Sequence, residues 1–339
     1  MKGVVTFGEL MMRLTPPGFE RFSQCNSWNI TFGGAEANVS VALSAWGVKS
    51  AFVSKIPCHE VGQSAVNSLR KYGVNTDFIV RGGERLGVYY LEKGSCFRPS
   101  KVIYDRKNSA FSLSSSEEYD WDKILDNYSW LHVTGITPAL GVNAEKAALD
   151  AVKAAKSKGI TVSFDVNYRS KLWNKEQAGE SVGKFLPYVD VLIANKNQIA
   201  GIVGIKSPYP QPENDGYSAE SNEYMARELV SRYGVKSVAL TARRTISSDV
   251  NTLRAMVYAN GECAFSREYK IDIVDRVGSG DAFAAGVIYS LIKGESARST
   301  VDYAVAAAVL AHSIEGDYML CSSEEINALV KNGSAKVQR

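Results

Sequence analysis

The sequence predicts an α/β protein whose central, mostly parallel β-sheet is covered by helices on both faces. Apolar stretches of strand length alternate with stretches of helical period along most of the 339 residues, and this alternation favours a three-layer α/β/α sandwich. The strand candidates are short and almost continuously apolar, as in Val189–Ala194, which is typical of strands buried on both faces. Ligands of such sheets bind beyond the carboxyl ends of the strands.

The helical candidates carry apolar residues at spacings of three and four. In chain order they are Ala35–Trp46, Val61–Tyr72, Ala144–Lys158, Tyr224–Tyr233, Asp281–Ile292 and Thr300–Ser313. The strand candidates between them are Trp130–Thr134, Ile160–Phe164, Val189–Ala194 and Ser237–Leu240. A chain of this length can form two domains or one large domain, and the elements alone do not decide between the two.

Two stretches, at about residues 13–32 and 86–110, interrupt the alternation. Val88–Leu91 and Val102–Tyr104 within the second stretch are strand-like, without an attached helical pattern. We expect the two insertions to build a small second sheet over the ligand cleft, as a lid. An edge hairpin without a function is the alternative interpretation.

The composition argues against several classes of protein. The 39 basic and 36 acidic residues leave a formal charge of +3 without a run of one sign, so nothing indicates a nucleic acid or an acidic membrane as partner. The five cysteines are odd in number and far apart, which argues against a disulfide framework and a zinc site. No apolar run approaches the ~18 residues of a membrane span, and no signal segment is apparent. We expect a cytoplasmic protein.

The most specific local pattern is Asp275–Phe283, DRVGSGDAF, in which a strand-like stretch passes through two glycines into a helix. The N–H groups around Gly278, Ser279 and Gly280 would converge at the helix N-terminus, where the helix dipole favours a phosphoryl group. Asp281 lies in the first helical turn, where it could take the proton of an attacking hydroxyl, and the helix N-terminus would keep it ionised. A tight turn with Asp281 as a helix cap is the alternative.

A second pattern lies near the N-terminus at Thr31–Val39, TFGGAEANV. Gly33 and Gly34 would let a ligand approach the backbone closely, and Asn38 would offer a donor and an acceptor from the first helical turn. Other nucleotide-binding motifs fail, because the GxGxxG pattern would need a glycine at Phe283 and no GxxxxGK[ST] segment follows a strand.

Together, in this order, the two patterns resemble the signature regions of the ribokinase-like sugar kinases of the phosphofructokinase B type, an N-terminal GGxxxN element and a C-terminal DxxGxGD element. The resemblance covers nearly the whole chain. It implies the ribokinase-like fold, ATP with Mg²⁺ as cofactors, and a homodimer formed through the lids. Since both motifs must meet in one cleft, we expect residues 1–339 to form a single domain with an inserted lid.

Within this family, the sequence is most similar to kinases of 2-keto-3-deoxygluconate. The shared segments are Gly87–Tyr89, Val102–Lys107, Phe164–Trp173, Asp275–Val277 and Glu315–Tyr318. The resemblance implies that Gly33, Gly34 and Asn38 face sugar hydroxyls. It assigns the keto-acid end of the substrate to four side chains, Tyr89, Tyr104, Arg106 and Arg169. Guanidinium forks and phenol hydroxyls suit a carboxylate, although each arginine could instead form a structural ion pair.

On the nucleotide side, the resemblance places Asn195 near Mg²⁺ and its waters, but Gln198 stands where relatives carry a glutamate. That change removes a charge near the metal, so either magnesium binding is altered or another acid substitutes. Thr241 begins the segment TARRT, where many relatives have a glycine-rich turn beside the nucleotide. Arg243 or Arg244 could contact phosphate there, or the segment could be a solvated basic turn.

The resemblance also implies a monovalent cation, with K⁺ as the candidate, behind the anion hole. Asp275 and Val277 occupy the matching positions.

The sequence therefore predicts an ATP-dependent kinase that phosphorylates the 6-hydroxyl of 2-keto-3-deoxygluconate, with Asp281 as base. The amides of Gly278, Ser279 and Gly280, with Mg²⁺, would hold the developing charge. One alternative is a kinase of a neutral sugar, of the fructokinase or ribokinase type. Another, motivated by Gln198 and residues 241–245, is a catalytically silent sugar-acid-binding protein of the same fold. The sequence leaves open the gluconate or galactonate epimer, the oligomer size and the preferred nucleotide base.

Overall fold

The computed structural model describes residues 3–210 and 217–333. The strands in these ranges are β1 Gly3–Phe7, β2 Met11–Thr15, β3 Asn29–Gly33, β4 Ser50–Ile56, β5 Ile79–Arg81, β6 Gly87–Glu92, β7 Lys101–Asp105, β8 Tyr128–Thr134, β9 Thr161–Asp165, β10 Val191–Asn195, β11 Ser237–Thr245, β12 Val250–Ala259, β13 Glu262–Phe265 and β14 Tyr269–Asp272. The α-helices are α1 Ala35–Ala45, α2 Glu60–Arg70, α3 Trp121–Leu125, α4 Val142–Ser157, α5 Lys175–Phe185, α6 Lys196–Gln198, α7 Ala219–Tyr233, α8 Ser279–Ile292, α9 Ala297–Ala311 and α10 Ser323–Asn332.

Ten strands of the described residues form the central sheet, in the order β13-β12-β11-β10-β9-β8-β1-β4-β5, with β14 paired to β12. The strands from β11 to β5 are parallel, and β12 to β14 add antiparallel pairs at one edge. The chain leaves β1 towards β4 and returns to β8 on the other side of β1. Such a reversal of strand order opens a crevice at the carboxyl ends of the strands.

Helices cover both faces of this sheet. Since successive residues of a strand point to opposite faces, each strand contributes to the apolar cluster on either side. Val5 and Leu192 belong to one apolar cluster, with the inner faces of α4, α5 and α7. Val4 and Val191, their neighbours in the chain, belong to the opposite cluster, with α1, α8, α9 and α10. The predicted three-layer sandwich with a mostly parallel central sheet is thereby confirmed.

The two insertions supply a separate four-stranded sheet in the order β3-β2-β6-β7. Its register aligns one row of residues across all four strands, Thr31, Arg13, Tyr89 and Tyr104. The next row is Ile30, Leu14, Tyr90 and Ile103. Because adjacent rows point to opposite faces of a sheet, the first row faces the interior and the second faces outwards.

Of the two interpretations left open for residues 241–245, the solvated basic turn is wrong, because the segment is part of a strand. These residues continue β11, and Thr241 to Thr245 pair with Ala255 to Asn251 of β12. The partner strand is rich in apolar and β-branched residues and supplies hydrogen-bond partners along the whole segment. The chain therefore turns only at 246–249, after the segment.

Within the described residues, no helix combines the length and the apolar character that a membrane crossing would require.

Candidate active site

A cleft of about 570 Å³ lies between the carboxyl ends of the central strands and the inner face of the small sheet. The predicted site residues that line it are Gly33, Gly34, Asn38, Tyr89, Tyr104, Arg106, Arg169, Asn195, Thr241, Val277, Gly278, Ser279, Gly280 and Asp281. Asp275 is the predicted site residue that does not line this cleft. The fold thus brings together residues from both ends of the chain.

The glycine-rich loop forms the N-terminus of α8. Gly278 is the N-cap, with a left-handed backbone at φ 79°, and a Cβ atom there would collide with the carbonyl oxygen of Asp317. Only glycine satisfies both conditions. The first N–H groups of α8, from Ser279 onwards, have no acceptor within the helix and point into the cleft region, as an anion site requires.

Asp281 is held by the N-terminal motif. The Nδ2 of Asn38 donates to Oδ2 of Asp281 over 2.7 Å, and the Oδ1 of Asn38 accepts the N–H of Gly34 over 3.2 Å. The amide group of Asn38, which is predicted to face sugar hydroxyls, thus also orients the carboxylate of Asp281. Gly34 is also essential to this arrangement, because a Cβ atom at that position would collide with the carbonyl oxygen of Glu9.

Burial raises the pKa of Asp281 to about 6, while the hydrogen bond from Asn38 and the charge of Arg169 oppose the rise. Desolvation of the buried carboxylate outweighs these favourable contacts. A carboxyl group with this pKa is still mostly ionised at neutral pH, and it can accept a proton during a reaction.

Asp165 is a second buried acid in the cleft, at the end of β9. Burial, together with the charge of Asp281, raises the pKa of Asp165 to about 7. Its Oδ1 accepts the N–H of Asn167 over 3.0 Å. Asp165 is not among the predicted site residues, but its sequence signal is an acid directly after a buried apolar strand.

The two arginines expected at the keto-acid end differ in their surroundings. Arg106 is buried, and its Nε donates to Oε2 of Glu9 over 2.7 Å, with a second bond from Nη2 to the same oxygen. The other carboxylate oxygen of Glu9, Oε1, is buried and accepts no hydrogen bond from the described residues. Arg169 is exposed to solvent and forms no ion pair with a carboxylate among the described residues.

The two tyrosines expected beside these arginines lie on the inner face of the small sheet. Tyr89 is 4% exposed and donates its hydroxyl to Asp317. Tyr104 is opposite Tyr89 in register, and their ring centroids are 6.1 Å apart. Because the Tyr89 hydroxyl already donates to Asp317, the hydroxyl of Tyr104 is the more available of the two for a ligand.

A third arginine, which the sequence analysis left undecided, reaches the anion site. Nη2 of Arg243 donates to Oγ of Ser279 over 2.8 Å. Desolvation by the cleft walls, together with the charges of Arg276 and Arg169, lowers the pKa of Arg243 to about 10. In the described part of the chain, neither Arg243 nor Arg276 pairs with a carboxylate. Two guanidinium groups without a carboxylate partner in the described residues, those of Arg243 and Arg276, therefore lie beside the N-terminus of α8, a setting suited to phosphate groups.

The sequence model of the family described as pfkB family carbohydrate kinase matches residues 1–322. The chain belongs to the pfkB family of carbohydrate kinases. It is an ATP-dependent sugar kinase, and the prediction of the family and its ribokinase-like fold is confirmed.

This kinase is similar along nearly its whole length to several proteins that are named as sugar-acid kinases. The crystal structure of 2-dehydro-3-deoxygluconokinase from Thermotoga maritima is 46% identical, with a TM-score of 0.93 and 98% of each chain covered. The 2-dehydro-3-deoxygalactonokinase of Haloferax volcanii is 31% identical over 99% of each chain. The 2-dehydro-3-deoxygluconokinase of Thermoproteus tenax is 28% identical over 98% of this chain and 95% of that protein.

On the predicted nucleotide side of the cleft, Gln198 has a defined structural partner. Oδ1 of Asn195 accepts the N–H of Gln198 over 3.0 Å, and Oε1 of Gln198 accepts the N–H of Asn195 over 2.9 Å. This reciprocal capping box starts α6. A glutamine closes it as well as a glutamate, so the local fold survives the loss of charge.

No three His, Cys, Asp or Glu side chains in the described residues are grouped as a ready-made metal site. Such a cage is not needed for Mg²⁺, which is usually held by one or two protein groups together with waters and nucleotide phosphates. Asp165 fits this role, because β9 and β10 are adjacent and Asp165 pairs with Ile193, two residues before Asn195.

We predict that Arg106→Ala destabilises the kinase strongly. Removing the guanidinium would leave Glu9 as a buried, unpaired carboxylate, which lowers the free energy of unfolding by about 3–5 kcal/mol. Denaturant unfolding followed by circular dichroism measures the change. Arg85→Ala is the matched control, because Arg85 pairs with Asp105 where both side chains are exposed; that pair should contribute less than about 1 kcal/mol. Equal losses in the two variants would contradict the structural role of the Glu9 pair.

Proposed function

We propose that this kinase transfers the γ-phosphoryl group of ATP to the 6-hydroxyl of 2-keto-3-deoxygluconate, also called 2-dehydro-3-deoxygluconate. The observation that carries the proposal is the position of Asp281. Its carboxylate is buried, oriented by Asn38, and adjacent in the chain to an anion site surrounded by unpaired guanidinium groups. This arrangement places a proton acceptor beside a phosphate site, as hydroxyl phosphorylation requires.

In the proposed reaction, the substrate hydroxyl attacks the γ-phosphorus in line, the bond to the β,γ-bridging oxygen breaks and ADP leaves. The hydroxyl proton goes to the free carboxylate oxygen of Asp281, while Asn38 keeps the carboxylate in position. The N–H groups of Ser279 and Gly280 and the guanidinium of Arg243 stabilise the charge on the transferred phosphoryl oxygens.

Mg²⁺ would neutralise phosphate charge and align the phosphates for in-line transfer. Asn195 would hold its waters through the remaining lone pair of Oδ1, and Asp165 would supply the negative charge that Gln198 lacks. Burial and the charge of Asp281 disfavour the ionised form of Asp165 and raise its pKa, despite the charge of Arg169, and a nearby Mg²⁺ would stabilise that ionised form.

A sugar acid fits the opposite end of the cleft. Arg169, with no carboxylate partner among the described residues, is the group that would receive the substrate carboxylate, together with the hydroxyl of Tyr104. Arg106 contributes less charge than the sequence suggested, because Glu9 compensates it. The unpartnered Oε1 of Glu9 would instead accept a sugar hydroxyl. The relatives named as 2-dehydro-3-deoxygluconokinases and 2-dehydro-3-deoxygalactonokinase support the same class of substrate.

We also propose that the small sheet closes this cleft as the lid of a single-domain enzyme. Its inner row contributes Tyr89 and Tyr104 to the cleft. Its outer face exposes apolar side chains, with Ile30 59% exposed and Ile103 43% exposed. Pairing of two lids through this face would bury the apolar row.

Sedimentation equilibrium should give a dimer for wild type and a monomer for Ile30→Asp; a monomeric wild type would refute the lid-to-lid contact.

The substrate class is tested with a kinase panel in a coupled ADP assay with ATP and Mg²⁺. We expect turnover with 2-keto-3-deoxygluconate or its C4 epimer, the galactonate form, and little turnover with fructose, ribose or glucose. In Arg169→Ala, kcat/KM for the sugar acid should fall by about 10- to 100-fold, because one charge-assisted contact contributes about 1.5–3 kcal/mol. Turnover of neutral sugars alone would favour the neutral-sugar kinase. Binding of the acid without turnover of any sugar would favour the silent binding protein.

Arg243 and its neighbour Arg244 provide a matched pair, since adjacent strand residues point to opposite faces and only Arg243 lines the cleft. We predict that Arg243→Ala lowers kcat by about 100-fold, as expected for the loss of one donor to the developing charge. Arg244→Ala should stay within about two-fold of wild type, as for most surface substitutions. Single-turnover kinetics separate this effect from product release. Equal kcat values in the two variants would remove Arg243 from the phosphoryl site.

A further inference from the structure

The small sheet buries a guanidinium group that has no direct part in the proposed transfer. Arg13 is 2% exposed and lies on the inner face of β2. Its Nε donates to Oγ1 of Thr15 over 2.8 Å, its Nη1 to Oδ1 of Asp317 over 3.0 Å, and its Nη2 to Oδ2 of Asp275. Each nitrogen of the guanidinium therefore has an acceptor inside the protein.

The two carboxylates that hold Arg13 lie directly behind the anion site. Asp275 also accepts the N–H groups of Val277 and Gly316, each over 3.2 Å. Val277 immediately precedes Gly278, and the carbonyl oxygen of Asp317 lies against Gly278. Arg13 thus links the small sheet to the loop that forms the anion site, through two carboxylates at once.

Electrostatics explains why a positive charge is needed at this position. Two buried carboxylates without a cation would be costly in themselves, and they would repel phosphate bound a few residues away. Burial alone would lower the pKa of Arg13, but the charges of Asp317 and Asp275 outweigh burial and raise the pKa above its ordinary value. The guanidinium therefore stays charged at neutral pH.

The sequence resemblance had implied a monovalent cation at Asp275 and Val277, and the residues present do not fit one. A hard cation needs oxygen ligands. The carboxylate of Asp275 is instead surrounded by hydrogen-bond donors, namely the guanidinium of Arg13 and the N–H groups of Val277 and Gly316. These donors occupy the carboxylate and would repel an incoming cation.

We infer that Arg13 takes the place of a monovalent cation behind the anion site, so that catalysis by this kinase does not depend on K⁺. The guanidinium is a fixed part of the chain, tied to the small sheet, and it orients the loop at 275–278 whenever that sheet is in place. Arg13 is a positioning residue, because it acts on phosphate through Asp275, Asp317 and the loop. The inference rests on the proposed function, since its consequence is measured in phosphoryl transfer.

The first experiment measures wild-type kcat and KM in KCl, NaCl and tetramethylammonium chloride at one ionic strength, with ATP as its tetramethylammonium salt. We expect kcat to agree within about two-fold across the salts, because a cation without a binding site cannot shift an equilibrium. The thermal unfolding midpoint should likewise be the same in all three salts. A ten-fold or larger loss of kcat outside KCl, or stabilisation by KCl alone, would overturn the inference. Absence of turnover in every salt would instead refute the proposed function.

The second experiment uses Arg13→Ala, with the exposed Arg85→Ala as control. Arg13→Ala should lower kcat by about 100-fold through misplacement of the anion site, and added guanidinium or K⁺ should restore about ten-fold of it by occupying the vacated space. Arg85→Ala should respond to neither ion. If Arg13→Ala does not fold, Arg13→Lys replaces it and should be active and independent of K⁺. Near-wild-type kcat in Arg13→Ala, or dependence of Arg13→Lys on K⁺, would contradict the role of Arg13.

Discussion

The hydrogen bond from Asn38 to Asp281 joins two motifs that are 243 residues apart in the chain. It forms only because α1 and α8 start at the same end of the molecule and pack together in one apolar cluster, with Val39 and Leu43 against Ala282 and Phe283. The glycines next to these helices allow the close approach, since a side chain at Gly34 or Gly278 would collide with backbone. The packing of α1 against α8 therefore determines both the apolar core and the position of Asn38 relative to Asp281.

The cleft also separates charge in a way that suits phosphoryl transfer. Two buried acids, Asp281 and Asp165, have raised pKa values, and we propose that a hydroxyl and a cation bind beside them. Arginines without carboxylate partners in the described chain, including Arg243, surround the N-terminus of α8. Neither group is electrostatically satisfied by the protein alone, and substrates that bring phosphate and Mg²⁺ would satisfy both.

Much of the fold followed from local sequence patterns, because apolar strands and the two glycine motifs leave a signal within a few neighbouring residues. The strand at 241–245 could not be predicted from a local pattern, since its formation depends on pairing with β12. The partners of Arg13 and Arg106 could not be predicted from local patterns either. The pairing of Arg13 with Asp275 and Asp317 joins the small sheet to distant parts of the chain, and that of Arg106 with Glu9 joins residues 97 positions apart. A shift of one residue in the register of the small sheet would turn Arg13 outwards, and no local pattern records that register.

The central claim is that Asp281, oriented by Asn38, is the proton acceptor. Its most direct test is the pH dependence of kcat/KM for the sugar acid at saturating Mg-ATP, in wild type and in Asn38→Ala. A base is active when deprotonated, so kcat/KM of wild type should rise with pH through about 6. Since the bond from Asn38 lowers the pKa of Asp281, the same rise should move to higher pH in Asn38→Ala. A rise at the same pH in both enzymes, or no rise between roughly pH 5 and 8 in wild type, would contradict the claim.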